Sequence, residues 1–410
     1  MFESRCHSRS PDVPRHPAAA PHIAAIPGGV FSRFRSRIAT LTGEVYPLHV
    51  GDTWMEPLPA ARMETLTTAA HPGLHRYPPV NGIPELLSAL AARHGVDSER
   101  ILMTCGATGG LKAVAGAMLA PGEEVLILAP YWPLIAGIVA TSNGTPIEVP
   151  FLDRGAGDIA GRLSQYLTDK TVAIYINSPN NPTGAVLSEA ELAELAAFAR
   201  AHDLWIWADE IYEHYAYTAD CHPVAGFAPE RTVSVFSFSK AYGLAGSRCG
   251  YLIGPDEQTT GEIRKSLIHA FYSAPRASQR SALAALLGGD AWLADAAAQY
   301  RAAGAHAAQT LGLPAPQGGT FLFFDVSDCL DERGLDGFLF DCLEENLILA
   351  PGASFGPKHY SNFVRLCFTA APPEIVQRGV EKLAVLMARS RIHALQHLGR
   401  GPLDGRKPSR

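Results

Sequence analysis

Between residues 120 and 240 the chain repeats one form, a short apolar run without polar alternation that closes on Pro, Asn, Asp or Ser. The runs are "EEVLILAP", "TVAIYINSP", "LWIWADE" and "RTVSVFSFS". Apolar throughout and bounded by breakers, they predict strands buried on both faces. Between the second and third lies "SEAELAELAAFARAHD", where Ser188 and Glu191 have capping-box spacing and Leu192, Leu195, Ala196 and Ala199 form one apolar stripe. Strand, amphipathic helix, strand implies α/β architecture: a mainly parallel sheet in a three-layer unit, with helices on both faces. Ligands gather at the carboxyl ends of such strands, and Asn177, Asp209 and Ser237 stand there.

After about residue 290 the pattern changes to an Ala-rich helix, "GGTFLFFDVS", a second helix, "NLILAPGASFG" and "NFVRLCFTA". We therefore expect a large α/β unit over 60–290 and a smaller α+β unit made of 26–59 with 291–392. Residues 1–25, mixed in Arg, Ser, His and Pro without apolar period, read as a loose tail, as do 393–410. The uncharged stretch 125–147 is interrupted by Pro130, Pro133, Asn143, Gly144 and Pro146, so it reads as strand, turn and buried helix and not as a membrane span.

Composition narrows the function classes. A net charge of −6 without a long basic stripe argues against nucleic acid as a partner. Seven cysteines with no CxxC pair argue against a disulfide framework and a zinc ribbon; they read as reduced thiols of a cytoplasmic protein, with no metal site. The nearest approach to a dinucleotide fingerprint, "GAGDIAG" at 155–161, has the wrong spacing and no strand before it, and "GATGGLK" fails the Walker pattern.

The candidate chemistry centres on "SFSKAYGLAGSRCG", residues 237–250, directly after a strand. An amine attacks an aldehyde only when unprotonated, so Lys240 needs burial or cationic neighbours, of which Arg248 is one if the turn folds back. Ser237, Ser239 and Arg248 also make a phosphate site. Aldehyde and phosphate together specify pyridoxal 5'-phosphate. That cofactor needs a carboxylate for its ring nitrogen, which Asp209 offers, and Asp209, buried at a strand end, needs a cationic partner. Asn181 in "NSPNNPTG" and Tyr212 suit the ring oxygen. Gly106, Ala107 and Thr108 in "TCGATGGLKAVAGAML" put a helix N-terminus at the phosphate, and "PYWP" offers Tyr131 or Trp132 to stack on the ring. Each motif alone has an ordinary structural reading, as turn, cap, surface cation or core aromatic; what counts against those readings is that together they meet one specification.

With "NNPTG", "ADEIY", "SFSKAYGLAGSRCGY" and "FVRLCF" in order, the chain resembles the class I/II aminotransferases of fold type I from about residue 46 to 370. The resemblance implies an enzyme that moves an amino group from an L-amino acid to a 2-oxo acid. Lys240 would form the Schiff base and shuttle the proton, Asp209 would pair with the ring nitrogen, and Asn181 and Tyr212 would hold the ring oxygen. Ala107, Thr108, Ser237, Arg248 and Ser239 would hold the phosphate, Trp132 would stack on the ring, and Arg365, with Asn181 and the main chain at Gly51, would grip the substrate carboxylate. "YPPVNGIPEL" resembles the segment whose tyrosine crosses to the other subunit, so Tyr77 implies a homodimer with shared sites.

A C–S β-lyase on the same cofactor is the runner-up, and a non-catalytic regulator or scaffold of the same fold is the alternative from another class. No second arginine for a distal carboxylate stands out: Arg76 and Arg276 are conceivable, and without one a neutral or aromatic side chain fits better than aspartate. Cys367 stands where the family commonly has serine, and the bulky "GDTWMEPLP" leads us to expect Trp54 and Met55 at the substrate pocket.

Overall fold

The computed structural model describes residues 19–398, apart from 25, 27, 153–158 and 219. Residues 1–18 and 399–410, most of the two expected tails, lie outside the described residues. Seven strands form one sheet: β1 (Ile101–Thr104), β2 (Glu124–Ala129), β3 (Thr145–Pro150), β4 (Thr171–Asn177), β5 (Trp205–Asp209), β6 (Thr232–Ser237) and β7 (Gly250–Ile253). Their spatial order is β1-β7-β6-β5-β4-β2-β3. All neighbours are parallel except β7, which runs antiparallel to β1 and β6.

The continuous apolar runs are explained by burial on both faces. Along β2, Val125, Ile127 and Ala129 join the core under helices Gly106–Met118 and Glu257–Phe271, while Leu126 and Leu128 join the core under helix Glu189–Ala201. Successive side chains of a strand point to opposite faces, so a strand covered twice has no polar position left. The capping box at Ser188 forms: its hydroxyl accepts from Glu191 N–H at 3.3 Å, and Glu191 Oε2 accepts from Ser188 N–H at 2.8 Å. Leu195 on that helix is fully buried, and truncating it to alanine would cost roughly 2–5 kcal/mol.

A second, antiparallel sheet has the order β8-β10-β9, with β8 (Phe321–Asp325), β9 (Ala350–Pro351) and β10 (Phe363–Cys367). Val364, Leu366 and Phe368 enter a core shared with Phe34, Tyr46 and Leu48, from before residue 60, and with helices Gly334–Glu344 and Pro373–Leu398. Arg365 and Cys367 therefore point the other way, toward the large sheet. The terminal helix continues to Leu398, past the boundary at 392 that the sequence suggests, because its helical pattern carries on into residues read as tail.

Candidate active site

The parallel strands β4, β5 and β6 end side by side, with Asn177 level with Asp209 and Asp209 level with Val235. A cavity of about 310 Å³ opens beyond these ends. Lys240 enters it from the one-turn helix Phe238–Ala241, which Ser237 caps by accepting from Ser239 N–H at 3.1 Å. The turn does fold back: Ser237 pairs with Gly250 across β6 and β7, and Arg248 sits in a left-handed conformation at its end. Tyr215 fixes the lysine backbone, donating to the carbonyls of Lys240 at 2.8 Å and Ala241 at 3.0 Å.

Lys240 Nζ donates to the carbonyl of Gly51 and lies 3.9 Å from Asp52 Oδ1. Burial lowers its pKa; Asp52 opposes this, and Arg365 and Arg248 add to it. Gly51 allows the approach because a Cβ there would stand 2.8 Å from the Phe321 ring.

Asp209 is 2% exposed, and burial raises its carboxyl to about 6. The expected cationic partner is absent among the described residues. Instead the neutral phenol of Tyr175 donates to Oδ2 at 2.7 Å, the backbone N–H of Ile211 also favours the ionised form, and buried Oδ1 makes no hydrogen bond of ordinary geometry. Asn177 links this carboxylate to the next loop: its amide donates to the Asp209 carbonyl at 2.7 Å, and its Oδ1 accepts from Asn181 N–H at 2.6 Å. Asn181 Oδ1 in turn accepts from Arg365 Nη1 at 3.0 Å.

Arg365 is the mirror case, a buried cation without a counter-ion among the described residues. Its Nη2 donates to the His49 carbonyl at 2.6 Å, and its Nε has no partner. The guanidinium lies between the rings of Phe321 and Phe355, at 4.3 and 4.7 Å, and burial lowers its pKa to about 10. An unpaired buried charge is costly unless a ligand supplies the opposite one. The cavity thus lacks one cation at Asp209 and one anion at Arg365.

A second anion position lies at helix Gly106–Met118. Its N-cap, Cys105, makes no side-chain capping bond, so the first amides are free for a ligand. Ala107, Thr108, Ser237, Ser239 and Arg248 all face the cavity here. Gly106 lies beneath them and not in the wall: its φ is +69°, and a Cβ on it would stand 2.6 Å from Arg248 Nη2. Trp132 and Tyr212 also line the cavity, whereas Tyr131 is buried behind it.

Other expected residues lie elsewhere. Tyr77 is 80% exposed, outside the cavity wall, in edge contact with Tyr272. Arg276 donates to the carbonyls of Arg76 and Tyr77, and neither arginine reaches the cavity. Trp54 and Met55 do not line it either, contrary to expectation; they pack on the core of Tyr212, Tyr215 and Tyr300, because Gly51 turns the carbonyl of this segment, not its side chains, toward Lys240. Tyr175 and Tyr215 gave no sequence signal beyond that of core aromatics. Val30 and Phe31, which do line the cavity, were not among the expected site residues.

The family model "Aminotransferase class I and II" matches residues 44–383. The chain belongs to the class I and II aminotransferases. It is 30% identical over 321 residues to an aspartate aminotransferase of Musicola paradisiaca, covering 74% of this chain and 80% of that one. With a probable aspartate/prephenate aminotransferase of Thermus aquaticus it shares 39% identity over 190 residues, 45% of this chain and half the length of the relative. A solved aspartate aminotransferase of Thermus thermophilus, a double mutant, superposes with a TM-score of 0.83 at 26% identity, over 90% of this chain and all of that one. The fold is that of these enzymes, and the chain is a pyridoxal-phosphate-dependent aminotransferase. The cavity fits that cofactor on its own terms: a desolvated amine at Lys240, an unpaired carboxylate oxygen at Asp209 and uncapped helix amides beside Arg248.

Proposed function

We propose that this aminotransferase carries an amino group from an L-amino acid to a 2-oxo acid, with Lys240 as the catalytic amine. The observation that carries the reading is the pair of unmatched buried charges, Asp209 and Arg365, on either side of a lysine whose pKa is lowered. When bound, pyridoxal phosphate supplies an aldehyde that condenses with amines and a ring that draws electrons from the adjoining carbon. Asp209, pinned by Tyr175, offers Oδ1 to the ring nitrogen and favours its protonated form. Tyr212 and Asn181 would hold the ring oxygen, Trp132 would cover the ring, and Ala107, Thr108, Ser237, Ser239 and Arg248 would take the phosphate.

Arg365 holds the substrate α-carboxylate in a fixed plane, stacked between two rings and braced by Asn181 and the His49 carbonyl. That anchor sets the donor's α carbon within reach of Lys240 Nζ, which removes the α proton and returns it elsewhere on the reacting system. Gly51 O holds the amine until it is engaged.

The division of labour is between a large unit, 60–290, and a small one, 26–59 with 291–392, which brings Arg365. The working form is a homodimer in the cytoplasm. Support for the dimer is Tyr77, a large aromatic side chain left 80% exposed beside Tyr272. The cytoplasmic assignment is supported by six free cysteines among the described residues. No helix among them is long and apolar enough to cross a membrane.

The test is to supply the purified holoenzyme with L-amino acids and a 2-oxo acid and follow the new amino acid by chromatography. Amino transfer that needs the acceptor is expected. Release of pyruvate and ammonia without an acceptor would move the reading to β-elimination.

A further inference from the structure

In the proposed reading every charge that faces the cavity has a task. The cations among its described lining residues are Lys240, Arg248 and Arg365. The remaining wall is apolar: Ile211 and Ala245 belong to it, and its largest part comes from two distant segments, Val30 and Phe31 before the first sheet and Pro133 and Leu134 at the start of helix Leu134–Ala140. The segments lie together: a Cβ on Gly137 would be 3.9 Å from Ile26 Cγ2. Phe31 meets the His49 ring edge-on at 4.6 Å, and the His49 carbonyl accepts from Arg365, so Phe31 stands beside the α-carboxylate anchor. Leu134 is 52% exposed at the cavity mouth. His49 brings no charge, since burial and Arg365 lower its pKa to about 4. Arg35 lines an adjoining open groove and not this cavity, the two sharing Val30 and Phe31.

We infer that Val30, Phe31 and Leu134 form the subsite for the donor's side chain, and that it takes an aromatic or branched apolar group in preference to a distal carboxylate. A second carboxylate there would give up water without meeting a cation among this chain's described lining residues. An apolar side chain would cover the half-exposed Leu134 and the Phe31 ring, which removes apolar surface from water. The inference rests on the transamination reading, since it concerns the donor that Arg365 holds.

Two measurements on the holoenzyme test it. The first is kcat/KM for L-phenylalanine, L-leucine, L-aspartate and L-glutamate with one common 2-oxo acid. The second is calorimetric binding of two unreactive carboxylates, 3-phenylpropanoate and succinate. We expect the apolar donors to lead by roughly tenfold or more, and 3-phenylpropanoate to bind more tightly than succinate. Phe31→Ala lowers kcat/KM for phenylalanine roughly tenfold more than for L-alanine, and Leu134→Lys narrows the gap by raising aspartate.

Preference for the dicarboxylic donors, as a cation reaching in from another subunit would produce, overturns the inference. So do unchanged donor ratios in both variants. If none of the four donors is turned over, transamination fails instead, and the calorimetric comparison still decides what the subsite accepts.

Discussion

At the floor of the cavity, Tyr175, Asn177 and Asp209 lie on adjacent strands and are fixed to one another by hydrogen bonds of 2.7 Å. At the mouth, Val30, Phe31 and Leu134 come from segments far apart in sequence, and their apolar side chains are only partly buried. The floor is rigid because two paired strands set its spacing and each polar group there limits its neighbour. At the mouth the side chains meet by apolar contact, which is non-directional and tolerates change of shape. In the proposed reading the chemistry belongs to the floor and the choice of substrate to the mouth.

Lys240→Ala should affect the floor most, cutting turnover about a thousandfold or more while far-ultraviolet circular dichroism stays as in the wild type. Substantial turnover in that variant would remove the lysine from the mechanism. Next is Arg365→Gln, at the boundary of the two regions. It should cost about 2–5 kcal/mol in kcat/KM, seen mainly as a rise in KM for every donor. A loss confined to one donor class would place Arg365 with the mouth instead.

Asp209→Asn reads the floor without substrate. The folded pKa of Asp209 is raised to about 6, so its contribution to stability is present below the unfolded value of about 4 and is lost as pH rises through 6. Glu210 and Glu213, raised by burial to about 7 and about 8, act in the same direction. In urea melts of the cofactor-free protein, the variant should gain on the wild type by roughly 1–3 kcal/mol between pH 4 and pH 7. A constant difference across that range would mean that the carboxyl does not titrate there. Asp209→Asn should also lower turnover more than cofactor affinity.

Tyr175→Phe is the smallest change, the loss of one hydrogen bond worth about 0.5–1.5 kcal/mol. That bond lowers the pKa of Asp209, so its removal should move the acid limb of cofactor affinity to higher pH. Weaker binding without a shift of that limb would leave Tyr175 a packing residue only.

The sequence by itself determined the strands and what stands at their ends. A strand covered on both faces must be an unbroken apolar run, so a polar residue that ends it is conspicuous; Asn177, Asp209, Ser237 and the nearby Lys240 were legible for that reason. The proposed phosphate cradle was legible because one local turn and one helix start bring its residues together. Only the tertiary structure decided the partners. Tyr175 reads as core until β4 and β5 pair and set its hydroxyl on Asp209, and Tyr215 likewise until it meets the Lys240 carbonyl. Trp54 and Met55 looked like pocket residues from their bulk, but bulk does not say which way a segment faces, and here the Gly51 carbonyl faces the lysine. Val30 and Phe31 stand in no chemical motif, and their place at the site depends on how their segment packs beside the helix that begins at Leu134. Local pattern reports which groups a strand end or turn must expose, whereas contacts across long stretches of chain depend on how the elements pack.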